Sequence, residues 1–238
     1  MILSIEKSIS NLSLTLSINN QVINKVSIQI KNDLSEIIIP SIKNFIKNNS
    51  ITFLNISLLV VGCGPGSFTG IRAVISAAKG IYLSNKHIKI IGINSLAGLA
   101  MSALIEVKNR NIQYIIASID TKRDDFFLQL FRVHNCNEKL LPFSAINSIQ
   151  TIKLENFNDY IVENKLIAED FFCVGCISKL LKNKVTNMKF SKELIQIPDA
   201  LWVGKLGSCI VNNNINYKNS KIAYDELKPI YVRSAEIN

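Results

Sequence analysis

Between Ile37 and Ile105 the chain has no aspartate or glutamate, while Lys43, Lys47, Arg72, Lys79, Lys86 and Lys89 supply six positive charges there. Most of the formal net charge of +9 therefore gathers in one region, a field suited to nucleic acid, another polyanion or an acidic partner protein. Histidine is scarce too: His87 and His134 stand far apart, which excludes the paired-histidine helix motifs of zinc enzymes. No apolar run approaches a membrane span, and Glu6 and Lys7 break the N-terminal stretch before a signal-peptide core could form, so a cytoplasmic protein is expected. The five cysteines form no regular framework and fit a reducing compartment. Cys173-Val174-Gly175-Cys176 is a lone Cys-x-x-Cys, at most half of a zinc site, and reads first as two small residues at a strand end.

What is present centres on residues 58–83. Leu58, Leu59, Val60 and Val61 make a short β-branched strand. Gly62-Cys63-Gly64-Pro65-Gly66 follows as a turn able to take backbone angles closed to other residues and to let another backbone or an anion come close. Ser67 or Thr69 then caps a helix. Ile71, Val74, Ile75, Ala78, Ile81 and Tyr82 give that helix a core-facing stripe. Gly70, Ala73, Ala77, Gly80 and Ser84 form a second stripe of small residues only, which permits a close crossing inside the chain or against a partner.

Before this segment the pattern predicts three strands, at Met1–Glu6, over Leu12–Ile18 and over Val22–Ile30, and a helix over 33–48 that Pro40 should kink or divide. After it come a strand at Ile88–Gly92 and a helix opened by Ser95. An echo then appears: Ile115–Asp120 matches Met1–Glu6 in character, and Phe126, Leu128 and Leu130 stand at the same offset from Leu12, Leu14 and Leu16. The repeat implies two α/β units, 1–108 and 109–238, with a boundary near Lys108–Asn111 and a last segment able to pack back on the first. In the second half a strand is expected over Leu140–Phe143, another over Phe171–Gly175, and a short helix over Ile177–Leu181. A long helix should start at Pro198, and an extended tail over 229–233 should close the chain. Residues 149–165 show no decisive period.

Nucleotide chemistry finds little support. Gly62-Cys63-Gly64 is near the dinucleotide pattern, but no acidic residue follows at the distance needed to hold a ribose, and no glycine-lysine-serine/threonine run completes a P-loop. The duplicated strand-acid-strand unit suggests the fold of sugar kinases, whose two hairpins grip phosphate through glycine backbone N–H groups. Here the hairpins read Glu6-Lys7-Ser8-Ile9 and Asp120-Thr121-Lys122-Arg123, without glycine. Ser67 lacks the nucleophile elbow. Glu6 and Asp120 could act as bases, although capping a hairpin is the simpler role. No cofactor, metal or catalytic residue is expected.

The run Gly64-Pro65-Gly66-Ser67-Phe68-Thr69-Gly70-Ile71-Arg72 closely resembles the signature of the bacterial TsaB family, also called YeaZ. Ile90–Leu96, Ser118-Ile119-Asp120 and Pro229–Arg233 resemble further family segments in order along the chain. It departs at Glu6, where the family usually has aspartate, at Cys63, where a basic residue often precedes the motif, and at Leu34, where histidine is common. The resemblance implies an α/β fold of two ribonuclease H-like domains of the actin-like ATPase and sugar kinase superfamily, the second reduced. It implies a non-catalytic subunit for threonylcarbamoyl transfer to adenosine beside the tRNA anticodon, a dimerisation partner and activator of the catalytic TsaD, with TsaE as ATPase, a homodimer as a further state and tRNA reached through the complex. Gly70, Ala73, Val74, Ala77, Gly80, Ile81 and Ser84 would then form the partner interface. The alternative left open is a stand-alone nucleotide-dependent enzyme, kinase- or peptidase-like, of the same superfamily.

Overall fold

The computed structural model describes residues 1–30, 34–107, 112–134, 141–167, 170–181, 189–191, 197–213 and 226–232. The expected boundary at Lys108–Asn111, Leu140 and Arg233 lie outside the described residues. By its internal contacts the chain parts into one unit of Met1–Gly98 with Pro198–Ile230 and a second of Leu99–Ile197 with Tyr231–Asn238.

In the first unit, alternating leucines and isoleucines build β1 (Ile2–Glu6), β2 (Asn11–Ile18) and β3 (Gln21–Gln29). Helix α1 (Leu34–Asn48), β4 (Leu58–Gly62), α2 (Phe68–Ser84), β5 (Lys89–Ile93) and α3 (Ser95–Val107) follow, α3 running on into the second unit. The sheet order is β3-β2-β1-β4-β5, with β1, β4 and β5 parallel and β2 antiparallel to both its neighbours. Leu3, Ile5, Leu12, Leu14, Leu16, Leu59 and Val61 turn to one face, where α1 and α2 complete the core. Pro40 does not divide α1, which runs through it. Its ring sits on the exposed side, where water can serve the carbonyl it leaves unbonded, while Leu34, Ile38, Ile42, Phe45 and Ile46 hold both halves to the core.

The second unit repeats the strand order with shorter helices and shorter outer strands. It contains β6 (Tyr114–Asp120), β7 (Asp125–Val133), β8 (Phe143–Ala145), β9 (Gln150–Lys153), α4 (Phe157–Glu163), β10 (Phe171–Gly175), α5 (Cys176–Leu181) and β11 (Lys189–Phe190). Its sheet runs β11-β10-β6-β7-β8, with β9 also on β7. The stretch 149–165, undecided by period, becomes β9, a 3-10 turn and α4. The chain then returns to the first unit, where α6 (Ala200–Asn212), capped by Asp199, lies on the sheet face opposite α1 and α2. Gly204 and Gly207 let it come close, since a Cβ would fall 2.2 Å from Ser4 Oγ and 2.5 Å from Val60 Cγ1. Both sheets have the ribonuclease H-like order, and the second unit is the reduced copy.

The repeat is real, but its two strands do not share one offset. Leu14 pairs with Ile5, whereas Leu128 pairs with Ser118, one position short of Ile119. The second hairpin holds one residue more, and a one-residue slip exchanges the faces of a strand. Glu6 therefore corresponds to Ile119 and not to Asp120. The consequence is visible in burial: Glu6 is 1% exposed, while the Asp120 side chain is 32% exposed and paired with Lys122 at 2.9 Å.

Candidate docking helix and its glycine loop

The loop after β4 is fixed from three sides. Ser95 at the start of α3 donates its N–H to the Gly64 carbonyl (2.8 Å), and its hydroxyl accepts the Gly64 N–H (3.2 Å) and donates to Glu6 Oε2 (2.9 Å). Ile230 of the tail donates its N–H to the Cys63 carbonyl (2.8 Å). Ser67 donates its own N–H to the Ser8 carbonyl (2.6 Å). Gly64 takes φ +92°, open to glycine, and Pro65 follows through a cis bond. Gly66 is required by proximity: a Cβ there would stand 2.1 Å from Ser8 O.

Glu6 is the polar pivot beneath this loop. Its Oε1 accepts the Ser8 N–H (2.6 Å), and its carboxylate lies so close under Gly62 that a Cβ would meet Oε2 at 1.8 Å. Burial pushes its pKa above the ordinary carboxylate value, with its hydrogen bonds to Ser8 and Ser95 opposing. Beside it the partly buried Lys7 amine, bonded to the Ile9 carbonyl at 2.6 Å, is pulled down by desolvation.

The two hairpins spend their polar groups differently, and the first gives its Ser8 N–H to Glu6. The first turns the carbonyls of Lys7 and Ser8 toward the glycine loop, each where a Cβ of Gly70 or Gly66 would otherwise sit. The second uses its N–H groups on itself: Thr121 to the Asp125 carbonyl, Lys122 to Asp120 Oδ1 and Arg123 to Thr121 Oγ1. Lys122 and Asp124 there hold positive φ without being glycine. Among the described residues no group of three histidine, cysteine or acidic side chains could hold a metal ion. Burial pushes the Cys176 thiol up to about 12 and that of Cys173 up as well, so neither supplies a thiolate near neutrality. No described helix is long and apolar enough to cross a membrane.

Helix α2 begins at Ser67, whose Oγ accepts the Gly70 N–H (3.2 Å), with the Arg72 guanidinium 3.7 Å from the centroid of the Phe68 ring. Ile71, Val74, Ile75, Ala78 and Ile81 are buried, as the core stripe requires, with Tyr82 half-buried. The small stripe divides. Gly70 and Ala77 are buried, and so are Val74 and Ile81 of the seven residues named for a partner interface. Ala73 is half-buried, and Gly80 and Ser84 are exposed. At helical spacing the exposed ones line up with Thr69, Ser76 and Leu83, a ridge low in side-chain bulk. Gly80 sits in a helix interior with nothing within 4 Å of where a Cβ would be. Thr69 and Ser76 had no mark in the periodicity, because an exposed small polar residue carries no hydrophobic signal.

A family model described as TsaD, tRNA N6-adenosine threonylcarbamoyltransferase, matches residues 22–233. TsaB of Buchnera aphidicola subsp. Schizaphis graminum, a tRNA threonylcarbamoyladenosine biosynthesis protein, is 28% identical over 200 residues, 84% of this chain and 89% of that one. TsaB of Haemophilus influenzae is 25% identical over 201 residues, 83% and 78% of the two chains. The chain belongs to this family, as a TsaB (YeaZ) member. The solved structure of YeaZ from Pseudomonas aeruginosa has the same fold, with a TM-score of 0.72 over 97% of this chain and 99% of that one at 16% identity. The motif from Gly64 to Arg72, family-like in sequence, is thus the loop that seats the start of α2 on the β1–β2 hairpin.

Proposed function

We propose that this TsaB member serves tRNA threonylcarbamoyladenosine biosynthesis as a non-catalytic subunit that docks on a TsaD-type catalytic subunit and supports its active form, with a TsaE-type ATPase in the same assembly. The names of the relatives supply the pathway. The observation that carries the docking role is Gly80. A glycine in a helix interior costs about 1 kcal/mol relative to alanine, and here no neighbour among the described residues explains it. A second helix brought close along Thr69, Ala73, Ser76, Gly80 and Ser84 would give that cost a use, with Leu83 at the rim as an apolar contact. The second hairpin, closed on itself, and the first, which turns its carbonyls toward the glycine loop and the start of α2, fit a subunit that leaves phosphate chemistry to its partner.

Gly80→Arg is the direct test. A large side chain at an open position should leave the fold intact, with a melting temperature unchanged or a few degrees higher through the gain in helix propensity, while abolishing co-purification with the TsaD-type subunit. An intact complex with Gly80→Arg would remove the ridge as the docking surface. Ala77 is the poorer probe, because it is 7% exposed and a charge there would disturb the fold itself.

A further inference from the structure

The first unit is electrically polarised along its strands. Its four described acids all stand at the end where β1, β4 and β5 finish. Glu6 closes β1, Glu36 is in the first turn of α1, and Asp199 caps α6, whose Ala200 N–H reaches Ser13 Oγ opposite Glu6. Glu226 precedes Leu227, which packs against Gly92 near the end of β5. The other end, where these strands begin, carries cations on separate elements. Lys47 is in the last turn of α1 with Lys43 a turn before, Lys86 follows α2, and Lys89 opens β5. All four are exposed. Helix ends do not account for this pattern. Lys47 complements the C-terminus of α1, but α2 has no basic residue in its last turn, and Lys86 and Lys89 lie beyond it.

We infer that the strand-start end of the first unit is a direct contact face for the RNA phosphate backbone, held by Lys43, Lys47, Lys86 and Lys89. Lysine ammoniums are compact point charges that meet phosphate oxygens without reading bases. One sign of charge spread over α1, the α2–β5 connection and β5 suits a chain of phosphates better than a single carboxylate or the mixed signs of a protein surface. The choice of RNA as the polyanion rests on the tRNA pathway proposed above, whereas the charge separation does not.

The test is fluorescence anisotropy with labelled, unmodified tRNA and the full-length chain at low and at near-physiological salt. Wild type should bind at low salt and weaken steeply as salt rises. Lys47→Glu, Lys86→Glu and Lys89→Glu combined should lose at least about tenfold at low salt and show a shallower salt dependence, each lost phosphate contact removing about 0.7 to 0.9 from the log–log slope. The corresponding triple glutamine variant should fall between. Lys228→Glu, at the opposite end, should bind as wild type does. Equal binding by wild type and the triple glutamate variant, an equal loss in Lys228→Glu, or no salt-sensitive binding by wild type would overturn the inference. Capture of the TsaD-type subunit is measured in parallel. Capture retained while RNA binding fails removes this face alone. Capture lost in wild type while salt-sensitive RNA binding persists removes the docking reading alone.

Discussion

Glu6 ties β1, the β1–β2 hairpin and the start of α3 through one buried carboxyl group. Since burial raises its folded-state pKa above 4.5, the folded chain prefers the protonated form. The stability this contributes is complete below the unfolded value and is lost as pH rises through the folded one. Glu6→Gln keeps the shape and carries no charge, so its melting temperature should gain on wild type progressively as pH rises above the ordinary carboxylate value. A difference that stays constant over this rise would show that ionisation of Glu6 is not the cause. The family's usual aspartate is one methylene shorter. In this chain the longer glutamate folds its carboxylate back over Gly62, where only a glycine leaves room.

At the scale of elements, two helices carry glycines with opposite meanings. Gly207 of α6 faces Val60, whose β-branched side chain cannot yield, so Gly207→Ala should overpack the helix–sheet contact and cost about 1 to 3 kcal/mol, less the gain in helix propensity. Gly80→Ala in α2 meets nothing and should gain about 1 kcal/mol, or about 2 to 4 °C in melting temperature. Calorimetry on both variants checks the pair, and a loss at Gly80 would mean that its glycine serves the fold and not a partner. Beneath α6 the Ser4 and Thr15 hydroxyls are buried without hydrogen-bond partners, so this sheet face is held less by polar pairing than by close approach.

For the molecule as a whole, neither strand-acid hairpin carries the glycines with which a backbone grips phosphate. Carbonyls of Lys7 and Ser8 face the glycine loop, and the second hairpin spends its N–H groups on Asp120, Thr121 and Asp125. Titration calorimetry of the full chain with ATP and magnesium should therefore give no heat of binding at millimolar nucleotide. Sub-millimolar affinity would favour the stand-alone enzyme instead.

Much was legible in the chain before any coordinates. Alternation named β2, because a half-buried strand must put apolar residues on every second position, while short apolar runs named β4 and β10, the echo of the first hairpin named β6 and β7, and the glycine-rich turn announced a tight loop leading into a capped helix. Period could not resolve residues 149–165, since β9 and α4 are too short to establish one. It also aligned Asp120 with Glu6, because similarity of residue type is blind to the extra residue in the second hairpin that reverses the strand's faces. Helical spacing likewise grouped Val74 and Ile81 with Gly80, although the sheet beneath α2 buries the first two and leaves the last open. The sequence by itself determined which elements form and where charge accumulates, both local properties of the chain. Only the tertiary structure decided which side of each element meets solvent, because that depends on register and on what packs from across the sheet.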